Sequence, residues 1–264
     1  MQGTNFAEGG QSSTGSIIRW AKRLFGADDL DYKTLDEEAS KIRPGSDGLI
    51  ALETFQGSRT PVTDPLARGA LVGLTLSTTR GHVWRALMES VCLGTRASIH
   101  GLEKAGHKCD EIVIAGGTTR SALWLQMHAD VTGKPVVLCE NIDAPLLGCA
   151  ILASVCAGLH TSVEDAVDAM VREARRVEPE PNAVESYDKI YRKVYSQLSS
   201  SLRPTMHALA KLRGGATHGN TGKHDPKTII SPSVLAADWA HMAIEIKRCT
   251  DAGLNRIHVD VVRK

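Results

Sequence analysis

The sequence predicts a layered α/β domain in residues 1–212, a flexible linker in residues 213–227 and a short second segment in residues 228–264. Strands and helices alternate with short connections between residues 111 and 158, which is typical of α/β layers. Hydrophobic residues make up 42% and charged residues 23% of the 264 residues, so the composition supports a folded core. The linker, RGGATHGNTGKHDPK, has four glycines and no side chain able to anchor a core.

Apolar periodicity places the first elements. Apolar residues at helical spacing predict a helix over 12–25, and a long helix over 80–102. Between them, residues 43–69 are rich in glycine, proline and aspartate, and we predict a short strand at 49–52 within irregular chain. The remaining predicted elements follow in order: strand 111–115, helix 121–132, strand 135–139, helix 144–158, and helices over 163–175 and 183–211.

The longest apolar run lies at residues 144–159. Its 16 residues fall short of the roughly 20 that span a bilayer, so we predict a buried helix in a soluble protein. Asp143 is its predicted N-cap and Pro145 lies in its first turn.

Charge and cysteine usage exclude several classes of protein. There are 31 basic and 30 acidic residues, a net charge of +1, so the sequence has no electrostatic footprint for nucleic acid or an anionic membrane. The densest basic cluster, residues 172–176, is predicted to be a solvated helix face. The six cysteines stand singly with no CxxC pair, which predicts reduced, buried thiols. Without a signal-like N-terminus, these features predict a cytoplasmic protein.

The most informative local pattern is IVIAGGTTRSALW at residues 112–124. A buried strand ends in Gly116 and Gly117, and a Thr/Ser-rich turn and a helix follow. Glycine lets a phosphate or ring approach the backbone because no Cβ intervenes, and the start of a helix presents N–H groups suited to phosphate. Many strand–helix turns use two glycines for geometric reasons alone, so that alternative stays open.

Longer matches favour the nucleotide-binding interpretation. GALVGLTLSTTRGHVWRALMES at residues 69–90 resembles the second signature of the FGGY carbohydrate kinases. Other segments match the family in the same order: EGGQSSTGSIIRW at 8–20, GSDGLIALETFQGSRTPVTDPLARG at 45–69, AGGTTRSALWLQMHADVTGKPV at 115–136 and DAPLLGCAILASVCAGL at 143–159. The resemblance covers about residues 6–200 and is strongest to the pentulose kinases. It implies an actin/hexokinase-like fold, in which two ribonuclease-H-like domains enclose ATP and sugar.

The resemblance also implies a nucleotide site. Gly116 and Gly117 match the glycine pair that contacts the nucleotide, and Ser121 would be a nearby polar contact. Gly15 and Arg19 match positions that flank the nucleotide near its phosphates, although a surface helix arginine explains Arg19 equally well. The implied ligands are ATP and ADP, with Mg²⁺ by analogy.

Several other polar residues have structural explanations that we prefer. The loop at residues 56–61, with Asp64, is predicted to be rigid and organised by proline and aspartate. His82 and Glu89 are equally well explained as helix residues whose hydrogen bonds are satisfied within the fold.

In FGGY kinases a carboxylate takes the proton from the sugar hydroxyl. In the family that aspartate, the sugar-binding residues and the first phosphate-binding loop precede the EGGQSSTG segment, which begins here at residue 8. None of Asp28, Asp29, Asp64 or Asp130 matches the catalytic motif, so we assign no catalytic residue in this part. We expect the chain to correspond to the second half of a kinase, able to bind the sugar only with a further N-terminal domain.

The segment after the linker reads as one β-α-β unit and resembles the start of ribulose-phosphate 3-epimerase, a TIM barrel. By that resemblance Ser233 would contact substrate, and His258 and Asp260 would be a first pair of metal ligands, with Asp260 also an acid/base. Alternate residues of a strand point to one side, as two ligands of one cation require. Two strands cannot close a barrel, and two ligands leave a metal site incomplete. We therefore expect neither a bound divalent ion nor epimerase activity.

The first hypothesis is an ATP-dependent kinase of a pentulose, xylulose or ribulose, present as its nucleotide-binding domain and inactive alone. A non-catalytic nucleotide-binding remnant or mis-joined gene product is the second hypothesis. A fragment of the epimerase is the third.

Overall fold

The computed structural model describes residues 7–26, 31–141 and 143–212, together with residues 247 and 251. The chain divides into two units, Met1–Gly215 and Ala216–Lys264, and the first unit holds nearly all described residues. The predicted linker and the predicted β-α-β unit, with Ser233, His258 and Asp260, lie outside the described residues.

Helices and strands alternate through the described part, largely as the sequence predicts. The helices are α1 (Gly15–Leu24), α2 (Tyr32–Ser40), α3 (Arg80–Lys104), α4 (Ala122–Thr132), α5 (Ala144–Cys156), α6 (Val163–Met170), α7 (Pro181–Ile190) and α8 (Ser196–Leu212). The strands are β1 (Ile50–Leu52), β2 (Ala70–Val72), β3 (Ile112–Val113), β4 (Val136–Cys139) and β5 (Glu173–Val177). Short 3₁₀ turns occupy Ser46–Gly48 and Gly117–Arg120, and a π-helical turn, Tyr191–Tyr195, joins α7 to α8.

Two small sheets organise these elements. Strands β1 and β2 pair antiparallel, and the second sheet has the order β3-β4-β5. Strands β3 and β4 are parallel, with Ile112 opposite Val136, and α4 makes the crossover between them. A parallel pair needs such a crossover, so the predicted strand–helix–strand unit is confirmed.

The core surrounds α3. Apolar side chains from α1, α2, β1, α4 and α7 pack against this helix, and Trp84 and Leu87 in its N-terminal half are fully buried. A second cluster lies between α4 and the three-stranded sheet and comprises Leu125, Ala129, Val136 and Val177. Helix α4 contributes to both clusters, so the turn that precedes it is anchored on both sides.

Helix α5 is not the buried helix that its composition predicts. Only Ile151 and Ser154 are buried on it, while Leu146 is 69% exposed and Leu159, beyond its end, is 76% exposed. Within the described residues α5 packs against α6, which covers one side of it. An apolar sequence shows that a helix is able to bury its side chains, but they are buried only where another surface packs against them. No helix among the described residues is long and apolar enough to cross a membrane.

The basic cluster Arg172–Arg176 lies on strand β5 rather than on a helix. The predicted helix over 163–175 ends at Met170, and the following residues pair antiparallel with β4 at the sheet edge. Their side chains are exposed, and only Val177 is buried on the strand. Pairing with β4 therefore outweighs local helix preference, and charges on an edge strand discourage pairing with further chains.

Asp143 is the N-cap residue of α5 and Pro145 lies in its first turn, as predicted, although the Asp143 side chain makes no capping hydrogen bond. The prediction that the cysteines are buried is wrong in most cases. Among the described cysteines only Cys92 is buried; Cys149 and Cys156 on α5 are exposed, and all are free thiols. The two exposed thiols follow from the exposure of α5 itself.

A buried polar cluster lies beside the middle of α3. The Glu53 carboxylate accepts a hydrogen bond from the Tyr195 hydroxyl at 2.6 Å. A Cβ added at Gly94 would stand 2.6 Å from Oε1 of Glu53 and 2.9 Å from Oε1 of Gln11, so both oxygens converge on the same point. Oε1 of Gln11 has no hydrogen-bond partner among the described residues. Burial raises the pKa of the Glu53 carboxyl.

The Glu53→Gln variant is expected to be more stable than the wild-type chain at neutral and alkaline pH. Unfolded glutamate loses its proton near pH 4.5, whereas the folded state retains it to higher pH, so wild-type stability falls as pH rises above that value. Glutamine keeps an acceptor for Tyr195 and removes the titration. Thermal unfolding followed by circular dichroism from acid to alkaline pH checks this, with the exposed Glu37→Gln as control. A variant less stable than wild type at alkaline pH would contradict it.

Candidate functional site

The turn after β3 has the geometry that its two glycines predict. Gly116 has φ +82° and ψ −155°, a backbone conformation open essentially to glycine alone. The chain then forms the 3₁₀ turn Gly117–Arg120 and enters α4 at Ala122. Strand β3 holds the start of this turn, because Ile114 N–H donates to the carbonyl of Val137 on β4 at 3.0 Å.

The surface of this turn is open. A Cβ built on Gly116 or Gly117 would meet no other atom within 4 Å, and both residues are exposed. Among the described residues, the backbone N–H groups of Gly117 and Thr118 donate no hydrogen bond. Two N–H groups without a partner among the described residues, beside Cα atoms that carry no Cβ, can donate to the oxygens of a phosphate at close range.

Ser121 serves the turn as an anchor. Its hydroxyl accepts a hydrogen bond from Trp124 N–H at 3.1 Å, which caps α4, and donates to Oδ2 of Asp36 at 2.6 Å. Both hydrogen-bond partners of the Ser121 hydroxyl belong to the protein, whereas the family resemblance implies that Ser121 makes a polar contact near the nucleotide. Asp36 lies on α2, 85 residues earlier in the chain, and no spacing in the sequence links it to this turn.

Gly15 and Arg19 lie one helical turn apart at the start of α1. Gly15 is the first residue of the helix, is exposed, and has open space where a Cβ would stand. Arg19 is exposed and makes no ion pair or hydrogen bond with any described residue. Within that part of the chain, no hydrogen bond or ion pair joins these two residues to the Gly116 turn.

The structural explanations of Glu89 and His82 are confirmed. The buried Glu89 carboxylate accepts hydrogen bonds from Gly45 N–H, the Ser46 hydroxyl, the Arg85 guanidinium and the Tyr187 hydroxyl, at 2.7 to 3.0 Å. The ring of His82 closes a capping box with Thr79 at the start of α3. Neither side chain is left free for chemistry.

Asp64 likewise holds the fold together. Burial acts to raise the pKa of its carboxyl, but hydrogen bonds from His207, Leu66 N–H and Arg203 outweigh burial and lower it. The contact to Nε2 of His207 is 2.8 Å and that to Nε of Arg203 is 2.9 Å. These bonds link α8 to the loop at residues 56–65, so the prediction that Asp64 organises this loop is confirmed.

The described residues provide no cluster of metal ligands at this site. The described residues contain no group of three or more histidine, cysteine, aspartate or glutamate side chains able to hold a metal ion. A divalent ion accompanying a nucleotide is commonly bound through the phosphates themselves with few protein ligands. The open Gly116–Gly117 surface and its two N–H donors fit the phosphate part of such a ligand.

Comparison with known proteins agrees with this geometry. The FGGY family of carbohydrate kinases, C-terminal domain, matches residues 2–157. The chain is 33% identical over 200 residues to a ribulokinase of Halalkalibacterium halodurans, covering 70% of this chain and 36% of that protein. It is 31% identical over 187 residues to a xylulose kinase of Bacillus subtilis, covering 70% of this chain and 37% of that protein.

Solved structures give the same result. The crystal structure of a xylulose kinase from Rhodospirillum rubrum superposes with a TM-score of 0.65 at 36% identity, covering 74% of this chain and 39% of that one. The solved structures that resemble this chain are those of sugar kinases with the actin/hexokinase-like α/β fold. The chain thus spans less than two fifths of the length of each of these three proteins. The enzymes of this family are phosphotransferases. Because the family model matches more than half of its residues, the chain belongs to the FGGY family of carbohydrate kinases and contains that family's C-terminal domain.

Proposed function

We propose that residues 1–212 are the nucleotide-binding domain of an ATP-dependent pentulose kinase. The observation that carries the proposal is the open turn at Gly116–Gly117, located within the family match. In this proposal the N–H groups of Gly117 and Thr118 receive phosphate oxygens, and Arg19 supplies a positive charge from α1. Ser121 holds the turn rather than the ligand. Mg²⁺ would neutralise charge on the phosphates.

The exposed face of α5 supports a second domain. Leu146, Cys149 and Cys156 leave apolar surface uncovered within the described residues. A contiguous exposed apolar surface commonly marks an interface. A kinase of this family encloses its substrates between two domains, so we assign the cover of α5 to the second domain of such a kinase.

The catalytic carboxylate is assigned to that further domain as well. Of the aspartates that the sequence offers as candidates for the catalytic base, the structure describes Asp64 and Asp130. Both accept hydrogen bonds within the fold. Positioning of the sugar also needs the facing domain, and positioning can supply roughly 7–11 kcal/mol of barrier lowering. We therefore expect residues 1–264 alone to bind nucleotide weakly and to transfer no phosphate.

A pentulose is the favoured sugar for two reasons. The relatives include proteins named ribulokinase and xylulose kinase. The second segment also resembles an enzyme that interconverts ribulose 5-phosphate and xylulose 5-phosphate, the products of such kinases. Ser233, His258 and Asp260 are the residues of this segment that match that enzyme, and we assign the segment neither activity nor a bound metal.

Calorimetric titration with ADP and a coupled ADP-release assay with xylulose and ribulose together test the proposal. We expect measurable heat at millimolar ADP and no turnover approaching about 1 s⁻¹, a common lower bound for enzymes. Absence of heat would refute the nucleotide site. Turnover at or above that rate would refute the assignment of the base to another domain. A remnant that binds nothing would give neither signal.

A further inference from the structure

One carboxylate joins three helices at the nucleotide turn. Oδ1 of Asp36, on α2, accepts a hydrogen bond from the indole N–H of Trp84 on α3 at 2.8 Å. Oδ2 accepts from the hydroxyl of Ser121 at 2.6 Å. Ser121 in turn caps α4 through Trp124 N–H. Asp36 therefore links Ser121, directly after the turn, to the buried Trp84 in the core.

The turn also has hydrogen bonds of its own. Two of its backbone bonds, from Thr119 N–H to the Gly116 carbonyl and from Ser121 N–H to the Thr118 carbonyl, are 3.2 Å long, and the Thr119 hydroxyl donates to the Gly116 carbonyl at 2.7 Å. Hydrogen bonds of 3₁₀ geometry are poorer than those of an α-helix, and Gly116 and Gly117 are the residues with the greatest conformational freedom. Without an anchor at Ser121, a ligand must therefore order the turn at its own cost.

Both carboxylate oxygens of Asp36 are engaged within the fold. Each carboxylate oxygen accepts from one buried or half-buried donor, and the donors come from different helices. This arrangement argues against a role as a metal ligand or proton acceptor. It favours a role in which the carboxylate acts on the ligand through Ser121.

We propose that Asp36 is a positioning residue for nucleotide binding, which holds the Gly117–Arg120 turn open through its hydrogen bond with Ser121. The inference rests on the proposed function, since it assigns the ligand of the turn as a nucleoside diphosphate or triphosphate. A hydrogen bond to a charged group is the stronger kind, and its loss is expected to weaken ADP binding about tenfold.

The test compares Asp36→Ala and Ser121→Ala with Ser121→Thr, which retains the hydroxyl. Asp31→Ala is the matched control, because Asp31 caps the same helix α2 through Thr34 and does not contact the turn. Two readouts are taken on the full chain: the ADP dissociation constant, and hydrogen exchange at the Thr119 and Ser121 amides without ligand. Thermal unfolding separates general loss of stability from a local effect.

We expect Asp36→Ala and Ser121→Ala to weaken ADP binding and to accelerate exchange at both amides by about tenfold. Ser121→Thr should restore both values, and Asp31→Ala should lower the melting temperature without changing either. Unchanged exchange in Asp36→Ala would overturn the inference, as would faster exchange with unchanged ADP affinity. If the wild-type chain binds no ADP, the proposed function fails and with it the assignment of the ligand, while accelerated exchange would still support anchoring by Asp36.

Discussion

Replacing Glu89 by alanine is expected to destabilise the first unit by about 3–5 kcal/mol, the usual cost of breaking a buried ion pair. The side chain of Glu89 is 5% exposed and that of its partner Arg85 is 6% exposed. Removing the carboxylate leaves Arg85 charged and unpaired, and it also deprives Ser46 and Tyr187 of their acceptor. Burial also raises the pKa of the Tyr187 hydroxyl far above its ordinary value, so this neighbour stays neutral.

Urea unfolding followed by circular dichroism measures this change. The exposed pair Glu185–Lys189 offers a matched control, and Glu185→Ala is expected to leave the unfolding midpoint unchanged. Glu89→Gln keeps the shape and some of the hydrogen bonds, so its loss of stability should be smaller than that of Glu89→Ala. A Glu89→Ala variant within about 1 kcal/mol of wild type would mean that the network is not essential to the core.

Replacing Gly117 by aspartate is expected to lower ADP affinity by at least about a hundredfold, because like charges brought together cost several kcal/mol. A Cβ at Gly117 meets no atom within 4 Å, so the variant should fold as the wild type does. The new carboxylate would occupy the space assigned to a phosphate. Gly116 is less suitable for this test, because its positive φ would add backbone strain.

Calorimetry with ADP measures the loss for Gly117→Asp. Gly117→Ala adds a methyl group without charge and is expected to keep most of the affinity. Gly148→Asp introduces the same charge on α5, where a Cβ also meets no atom within 4 Å, and should leave binding unchanged. Equal affinities in Gly117→Asp and wild type would show that phosphate does not approach this glycine.

The sequence predicts those elements whose cause is local. The helices α3 and α4 and the strand β4 follow from apolar periodicity, and the Gly116–Gly117 turn follows from residues that permit a positive φ. Strand β5 could not be predicted in this way, because its residues form a strand only by pairing with β4. The exposure of α5 likewise depends on which surfaces are present to cover it.

The sequence predicts the candidate site only in part, because its patterns report only on residues that are close together in the chain. Glycines and the strand–helix junction identify the turn, since they act within a few residues of one another. The anchor at Asp36 depends on three helices that meet in space, so only the fold reveals it. The N–H and O–H donors that meet at Asp36 come from Trp84 and Ser121, which have no common spacing with it in the sequence.

The central claim, that the Gly116–Gly117 turn binds nucleotide, is tested most directly by amide chemical shifts during titration of the chain with ADP. The claim predicts that residues 116–121 shift progressively, with smaller changes at residues 15–19, and that Gly117→Asp abolishes both. Shifts confined to other regions while residues 116–121 remain unchanged would contradict it.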